Sequence, residues 1–449
     1  CERWRLRHQL RALSWRLLKR WRSVKRGSNA RCGSDKCASR NGPTDAVGEE
    51  VTDNGGLYGI ETIMTQLQAS SGGPRATERP LALVVGDAPV RLWGLSSRQR
   101  IGRQLQRLGV GIVDTADAAA GARSVLVVDA GWVYDEPLVA ALVQAANGTL
   151  LVDEVSGRAV AAKVDADQAA AIAAALLQGA DPATPLDRRT PATLASHYNN
   201  KLRKRETPYL LPLSAATLTS IEKRMFSGSY KGVTDVVTKY VWPTPARHVT
   251  RWCAIVGITP NQVTFVSLLM VLAAMACFWH GQFGWGLAAA WMMTFLDTVD
   301  GKLARVTMNS SKFGDVFDHG IDLIHPPFWY WAWIVGLGAV GLSLAQTGLI
   351  LAIVIGGYVA QRIEEGIFIK AFGIEMHIWR PFDSFFRLIT ARRNPNLLLL
   401  TLSVVAGRPD LGMIAVAIWT LLCFGVHALQ IVQAALARRR GPLTSWLSR

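Results

Sequence analysis

The chain has 449 residues, half of them hydrophobic, and its 49 Lys and Arg against 33 Asp and Glu leave a formal net charge of +16. The length excludes one ordinary domain and the apolar share excludes a wholly soluble protein, so a soluble part joined to a membrane part is expected. The basic runs form no recognisable nucleic-acid reader, and many flank apolar stretches, where anionic lipid headgroups are the natural partner. Six Cys give no disulfide framework. Cys253, Cys277 and Cys423 lie in or beside apolar runs as packing residues do, while Cys32 and Cys37 lack the second pair or His of a zinc site.

Residues 1–79 open on an Arg- and Trp-rich stretch with the pattern of a basic amphipathic helix, then continue as Gly/Ser/Pro-rich linker. Two readings stay open: a surface-seeking helix, or an upstream extension before a true start at Met64, in which case the segment is dispensable. From Pro80 to about Asn200, the runs Leu81 to Gly86, Ser124 to Ala130 and Thr149 to Glu154 are β-branched and bounded by Gly or acidic residues. Helical segments alternate with them, which predicts an α/β domain with a mostly parallel sheet covered on both faces.

Residues 201–260 mix Lys and Arg with aromatics at helical spacing and are expected to form juxtamembrane interfacial helices anchored by Trp242 and Trp252. Thr259 to Asn261 then reads as a helix start, with a capping residue and Pro in the first turn. Apolar stretches at 262–279, 283–303, 316–340, 346–369, 394–407 and 411–436 predict an all-α domain of six spans over residues 261–440, followed by a short tail. The fifth is short, so its helix starts earlier or tilts. With six alternating spans the Lys and Arg between them fall on one side, which puts both termini and that face in the cytoplasm.

The densest chemistry lies between Asp297 and Asp322. Carboxylates at the edges of membrane helices are costly unless paired or cation-bound, so Asp297, Asp300, Asp318 and Asp322 mark a functional site. Asp297, Asp300, Gly301 and Ala304 share one helix face; Gly314, Asp318 and Asp322 share a face of the next. Two acidic faces that oppose each other, with Gly and Ala allowing close approach, suit Mg²⁺ or Mn²⁺ and a pyrophosphate.

This run resembles, position for position, the signature of the CDP-alcohol phosphotransferase family, DxxDGxxAR, eight residues, then GxxxDxxxD; here Asp297, Asp300, Gly301, Ala304, Arg305, Gly314, Asp318 and Asp322. The resemblance implies that Asp297, Asp300 and Asp318 are metal ligands for two ions, with Asp322 as a further ligand and the general base. Asp300, Gly301, Ala304, Arg305 and Gly314 would line the cytidine diphosphate site. It implies transfer of a substituted phosphate from a CDP-alcohol, CDP-diacylglycerol being the expected donor, to an alcohol acceptor with release of CMP in phospholipid synthesis. A bacterial inner or plasma membrane and a homodimer are also expected. Asp315, His319, Arg380, Arg387, Arg392 and Arg393 are candidate acceptor-binding residues, and topology-setting explains the arginines equally well. A divalent-cation transporter is the reading from another class, weakened by acids clustered at the cytoplasmic ends and by the lack of inverted repeats.

The α/β part resembles the nucleotidyltransferase-like domain fused ahead of some of these enzymes, notably the bifunctional inositol-phosphate cytidylyltransferase type. Gly86, Arg91 and Leu92 match part of a GxGxRL loop, and Asp129 and Asp135 stand where a metal-aspartate strand would be. The loop lacks the further glycines and Lys that a triphosphate needs, so the domain is expected to be degenerate and not to turn over CTP. The bifunctional reading is the alternative.

Overall fold

Strict alternation along the first strand sets the layers of the α/β region. The structure, a computed structural model, describes residues 80–199 and 202–448. Residues 1–79, with Met64, Cys32 and Cys37, lie outside the described residues. In β1 (Leu81–Val85), Ala82 and Val84 face α1 (Ser97–Arg107) and α2 (Glu136–Gln144), packing with Ile101, Leu105, Leu138 and Leu142. Leu83 and Val85 point the other way, toward Ile172 and Leu176 of α3 (Ala169–Gln178). The sheet buries both faces, as the period of two requires.

The remaining strands are β2 (Gly111–Val113), β3 (Val125–Asp129), β4 (Trp132–Tyr134), β5 (Thr149–Val152), β6 (Ala159–Val164) and β7 (Asp187–Arg189), and the main sheet runs β2-β1-β3-β6-β5-β7. Pairs β1–β2, β1–β3 and β5–β7 are parallel, but β6 is antiparallel to both neighbours. The expected mostly parallel sheet is therefore mixed. Its cause is local: β5 and β6 are joined by the short turn at 153–158, where Gly157 N–H donates to the Asp153 carbonyl at 2.9 Å, and a parallel pair needs a crossover of a dozen residues or so.

The chain then forms α4 (Pro191–Leu194), the small pair β8 (Tyr198–Asn199) and β9 (Lys204–Arg205), and β10 (Leu210–Pro212), which returns to pair with β4. Three helices follow, α5 (Leu218–Gly228), α6 (Val236–Tyr240) and α7 (Pro243–Val256). They are part of a packed core. Ile221, Met225 and Phe226 of α5 join Leu92 and Trp93 of the α/β region, Cys253 of α7, and Val299, Leu303 and Val306 of the helical part in one buried cluster. Trp242 packs edge-on against Phe295 at 5.2 Å, whereas Trp252 is 57% exposed.

The helical part comprises α8 (Pro260–Trp279), α9 (Phe283–Val306), α10 (Lys312–Ala339), α11 (Thr347–Phe372), the short α12 (Pro381–Phe386), α13 (Arg393–Val405) and α14 (Pro409–Arg438). Thr259 caps α8, its hydroxyl taking the Gln262 N–H and the Gln262 side chain answering to the Thr259 N–H. Among the described residues α8, α11 and α14 are long and apolar enough to cross a membrane. The fifth apolar stretch forms only the 13 residues of α13, roughly 20 Å at helical rise against a core of about 30 Å.

Two features set the packing of α10. Pro327 has no N–H for the Leu323 carbonyl, and the Tyr358 hydroxyl of α11 donates to that oxygen at 2.9 Å instead. At Gly336 a Cβ would lie 1.9 Å from the Phe278 carbonyl oxygen, so α8 and α10 touch backbone to backbone. Phe278 and Phe283 pack on Trp333 beside this contact. Gly336→Ala is expected to push the two helices apart and cost about 1–3 kcal/mol, the usual range for overpacking; a thermal melt of the detergent-solubilised chain reads it as a lowered midpoint.

Candidate active site

Helix α9 carries Asp297, Asp300, Gly301, Ala304 and Arg305, and α10 carries Gly314, Asp315, Asp318, His319 and Asp322. The five residues 307–311 connect them. Ser311 caps α10 by accepting the Gly314 N–H at 2.9 Å, and Asn261 at the start of α8 donates to the same Ser311 hydroxyl at 3.4 Å. Gly314 leaves the room for this: a Cβ there would sit 2.4 Å from Asn261 Oδ1. The first turns of α8 and α10 are thus locked together beside the acidic residues.

Carboxylate oxygens of Asp297, Asp300 and Asp318 all lie within 4.8 Å of one another. Three hard, anionic oxygens from two helices, enclosed by the bundle, fit a divalent cation such as Mg²⁺ or Mn²⁺. Asp300 is almost wholly buried and receives the Thr264 hydroxyl of α8 at 2.6 Å. Asp322 is not in this group. Its Oδ1 accepts from Arg393 Nη1, while Arg393 Nη2 donates to Asp297 Oδ2 at 2.5 Å. One guanidinium of α13 therefore bridges the triad to the fourth acid. Arg305 folds back over Gly301, where a Cβ would meet its Nη2 at 3.1 Å.

Beyond Asp322 opens a cavity of about 390 Å³. Its cationic lining is Arg203, Lys231, Arg362, Arg387, Arg392 and Arg393; Asp322, Asp235, His319 and Tyr358 also reach it. Glu365 holds part of this set in place, accepting from Arg362 at 3.1 Å, from Arg392, and from His377 at 3.2 Å. Asp235 is bound by Asn394 Nδ2 at 2.9 Å and by the N–H groups of Val237 and Thr238. Arg387 is less well served: its Nε and Nη1 are buried with no hydrogen-bond partner. Donors left unpaired beside other cations are the chemistry of an anion site.

Of the residues singled out as acceptor-binding, His319, Arg387, Arg392 and Arg393 line this cavity. Arg380 and Asp315 are not among its lining residues. Arg380 forms a two-point ion pair with buried Asp383, bonds Gln433 at 2.8 Å, and covers the Trp379 ring. Asp315 is exposed, and its carbonyl pairs with His319 Nδ1 at 2.7 Å. Sequence reading missed Thr264, Asn261, Arg362 and Glu365. The signal available was polarity inside an apolar run, QRIEE at residues 361–365 and the hydroxyl five residues after the Thr259 cap.

In the α/β region Asp129, at the end of β3, accepts the Gly131 N–H at 2.8 Å and is paired with Arg158 at 3.4 Å. A cation from the protein itself stands at this carboxylate.

Thr264→Val removes the hydroxyl from Asp300 at little cost in volume. It is expected to weaken Mn²⁺ binding about tenfold, as loss of a ligand-orienting bond does. Calorimetric Mn²⁺ titration checks this, and an unchanged affinity would mean Asp300 is oriented by other groups.

Residues 257–391 match the CDP-alcohol phosphatidyltransferase family. The chain is 34% identical over 137 residues to cholinephosphotransferase 1 of Xenopus laevis, covering 27% of this chain and 33% of that protein. It is 40% identical over 79 residues to archaetidylinositol phosphate synthase of Pyrococcus horikoshii, 17% of this chain and 42% of that one. The chain thus spans a third to two fifths of the length of these relatives. A crystal structure of Mycobacterium tuberculosis phosphatidylinositol phosphate synthase in complex with manganese and citrate aligns over 41% of this chain and 88% of its own, at 19% identity and a TM-score of 0.32.

Proposed function

We propose, from the CDP-alcohol phosphatidyltransferase domain carried over residues 257–391, that the chain is an integral membrane phosphotransferase. It takes a CDP-alcohol, with CDP-diacylglycerol as the expected donor, and passes the substituted phosphate to an alcohol that itself bears a phosphate, releasing CMP. The observation that carries this reading is the juxtaposition of an oxygen triad, Asp297, Asp300 and Asp318, with a cation-lined cavity that Asp322 and Arg393 separate from it. An anionic acceptor needs the second as much as a pyrophosphate needs the first.

Asp297, Asp300 and Asp318 would hold the divalent metal, which would supply neutralisation of the pyrophosphate charge. Gly301 and Ala304 leave room along α9 for the cytidine diphosphate, and Arg305 supplies a permanent cation to its phosphate oxygens. Arg387 and Arg392 hold the acceptor phosphate and so direct its hydroxyl toward Asp322. Asp322 takes the hydroxyl proton. A new bond forms between that oxygen and the phosphorus bearing the donor alcohol; the bond from this phosphorus to the bridging oxygen breaks, and its electron pair leaves with CMP. Arg393 pairs with Asp322 and aims it, and must share it with the incoming hydroxyl.

All six apolar helical segments are read as spans, with α13 completed by the turn before it, and the basic residues beside the site orient it and both termini to the cytoplasm. The α/β region is read as a degenerate nucleotidyltransferase-like domain that does not turn over CTP. Support comes from Arg158, which stands at the Asp129 carboxylate.

The test is CMP release from purified protein supplied with CDP-diacylglycerol and a panel of alcohols with and without a phosphate. Asp297→Asn, Asp300→Asn and Asp318→Asn are expected to weaken metal and donor binding, with partial recovery at raised Mg²⁺ or Mn²⁺. Asp322→Asn is expected to keep donor binding and lose turnover about 10²-fold or more without metal rescue, as removal of a general base does. Near-normal turnover of Asp322→Asn at high metal would reassign the base. Arg387→Met is expected to raise the KM for the phosphorylated acceptor about tenfold or more while leaving donor KM alone. Equal use of a plain alcohol would sink the phosphorylated-acceptor reading.

A further inference from the structure

The two halves of the acidic motif meet only if the connector at 307–311 holds one shape. Asp297 and Asp300 stand on one side of it and Asp318 on the other, so a shift of the connector moves one ligand relative to the other two. The connector is tense in one place: Met308 is buried with a φ of +53°, a region that costs an L-residue with a side chain about 1 kcal/mol or more. Thr307 and Asn309 N–H groups donate back into α9, to Leu303 and Ala304, which leaves the carbonyls of Val306 and Thr307 among the orphan acceptors of a helix end.

Those acceptors are met from the α/β region. Arg100 Nη1 donates to the Val306 carbonyl at 2.8 Å, Arg103 Nη1 to the Thr307 carbonyl at 2.7 Å, and Arg107 Nη2 to the Ser310 hydroxyl at 2.8 Å. The three arginines stand at i, i+3 and i+7 on one face of α1 and meet the end of α9 and then the connector in the same order. Arg100 is 5% exposed. Burying a guanidinium is expensive, and an apolar side chain would fill the place at lower cost, so the contact answers to something other than core packing. Cations at the C-terminal end of α9 also match the sign of its dipole. Leu92 and Trp93, just before α1, share a buried cluster with Val299, Leu303 and Val306.

We propose that the α/β region acts as a positioning element for the metal-carrying carboxylates, with Arg100 and Arg103 as its positioning residues and Arg107 as a lesser third. The role attributed to the metal rests on the functional reading above; the clamp itself does not. It gives the α/β region a reason to stay attached to the helical part.

The test uses the full chain in detergent. Hydrogen exchange of metal-free protein, followed by mass spectrometry, compares the wild type with Arg100→Met, Arg103→Met, the double variant and Arg100→Lys. The double variant is expected to exchange amides at 307–315 about tenfold faster, with 320–339 unchanged, because the opening is local. Mn²⁺ affinity is expected to fall about tenfold, the lower end for loss of a group that orients ligands. CMP release is expected to lose kcat with acceptor KM kept, and Arg100→Lys to recover part of both. If the double variant melts without a cooperative transition, Arg103→Met alone, whose side chain is less buried, carries the comparison. Wild-type exchange at 307–315 together with wild-type Mn²⁺ affinity would overturn the proposal. Should no CDP-alcohol release CMP with the wild type, the functional reading fails while the exchange and Mn²⁺ results still decide the clamp.

Discussion

Like charges held close inside a helical bundle are the constraint on which the rest depends. Two carboxylates about 5 Å apart repel by about 3–4 kcal/mol at an effective dielectric near 20, and the triad holds three with a fourth beyond Arg393. Left alone such a group opposes the close approach of α9 and α10. The bundle answers with one guanidinium shared between Asp297 and Asp322, a hydroxyl from α8 on Asp300, and a site suited to a divalent cation. The guanidinium and the hydroxyl come from elements outside the motif.

Close approach is the second requirement, and small residues meet it where backbone must touch backbone. Gly314 admits Asn261 and so joins the first turns of α8 and α10; Gly336 lets the same two helices meet at the opposite end of their contact. Between these points α10 is interrupted by Pro326 and Pro327, one turn after Asp322, and α11 repairs the loss through Tyr358. The helix that carries half of the acidic motif is therefore pinned at both ends and mended in the middle by its neighbours. Its carboxylates owe their position to that support as much as to their own spacing.

Charge is sorted on a larger scale as well. Acidic oxygens converge between α9 and α10, while arginines from α11, from the stretch before α13 and from α13 itself collect beside them. Glu365 bridges Arg362, Arg392 and His377, and thereby spaces cations that would otherwise repel. On the far side of the motif, arginines of α1 reach the carbonyl end of α9. Cations thus border the acidic centre on both sides.

How much of this could be read from the residues divides along a physical line. Periodicity is local, so the three core strands, the helical segments and the opposition of two acidic faces were legible from the sequence, as was the membership of Asp297, Asp300 and Asp318 in one cluster. The antiparallel β6 was not, because its sequence, AVAAKV, is rich in Ala, which is depleted in strands, so the Ser156–Gly157 turn had no recognisable strand after it. Nor could spacing separate Asp322 from the other three acids, since its partner Arg393 lies 71 residues away. The arginines between α11 and α13 read equally as topology signals and as ligands; only folding shows that Arg387 turns unpaired donors inward while Arg380 is spent on Asp383. By itself the sequence determined which chemistry the chain carries, because residue type and helical period are written in order along it. Which charges neighbour which, and which remain free to bind, was decided by tertiary structure alone, because electrostatic interaction depends on distance through space and not along the chain.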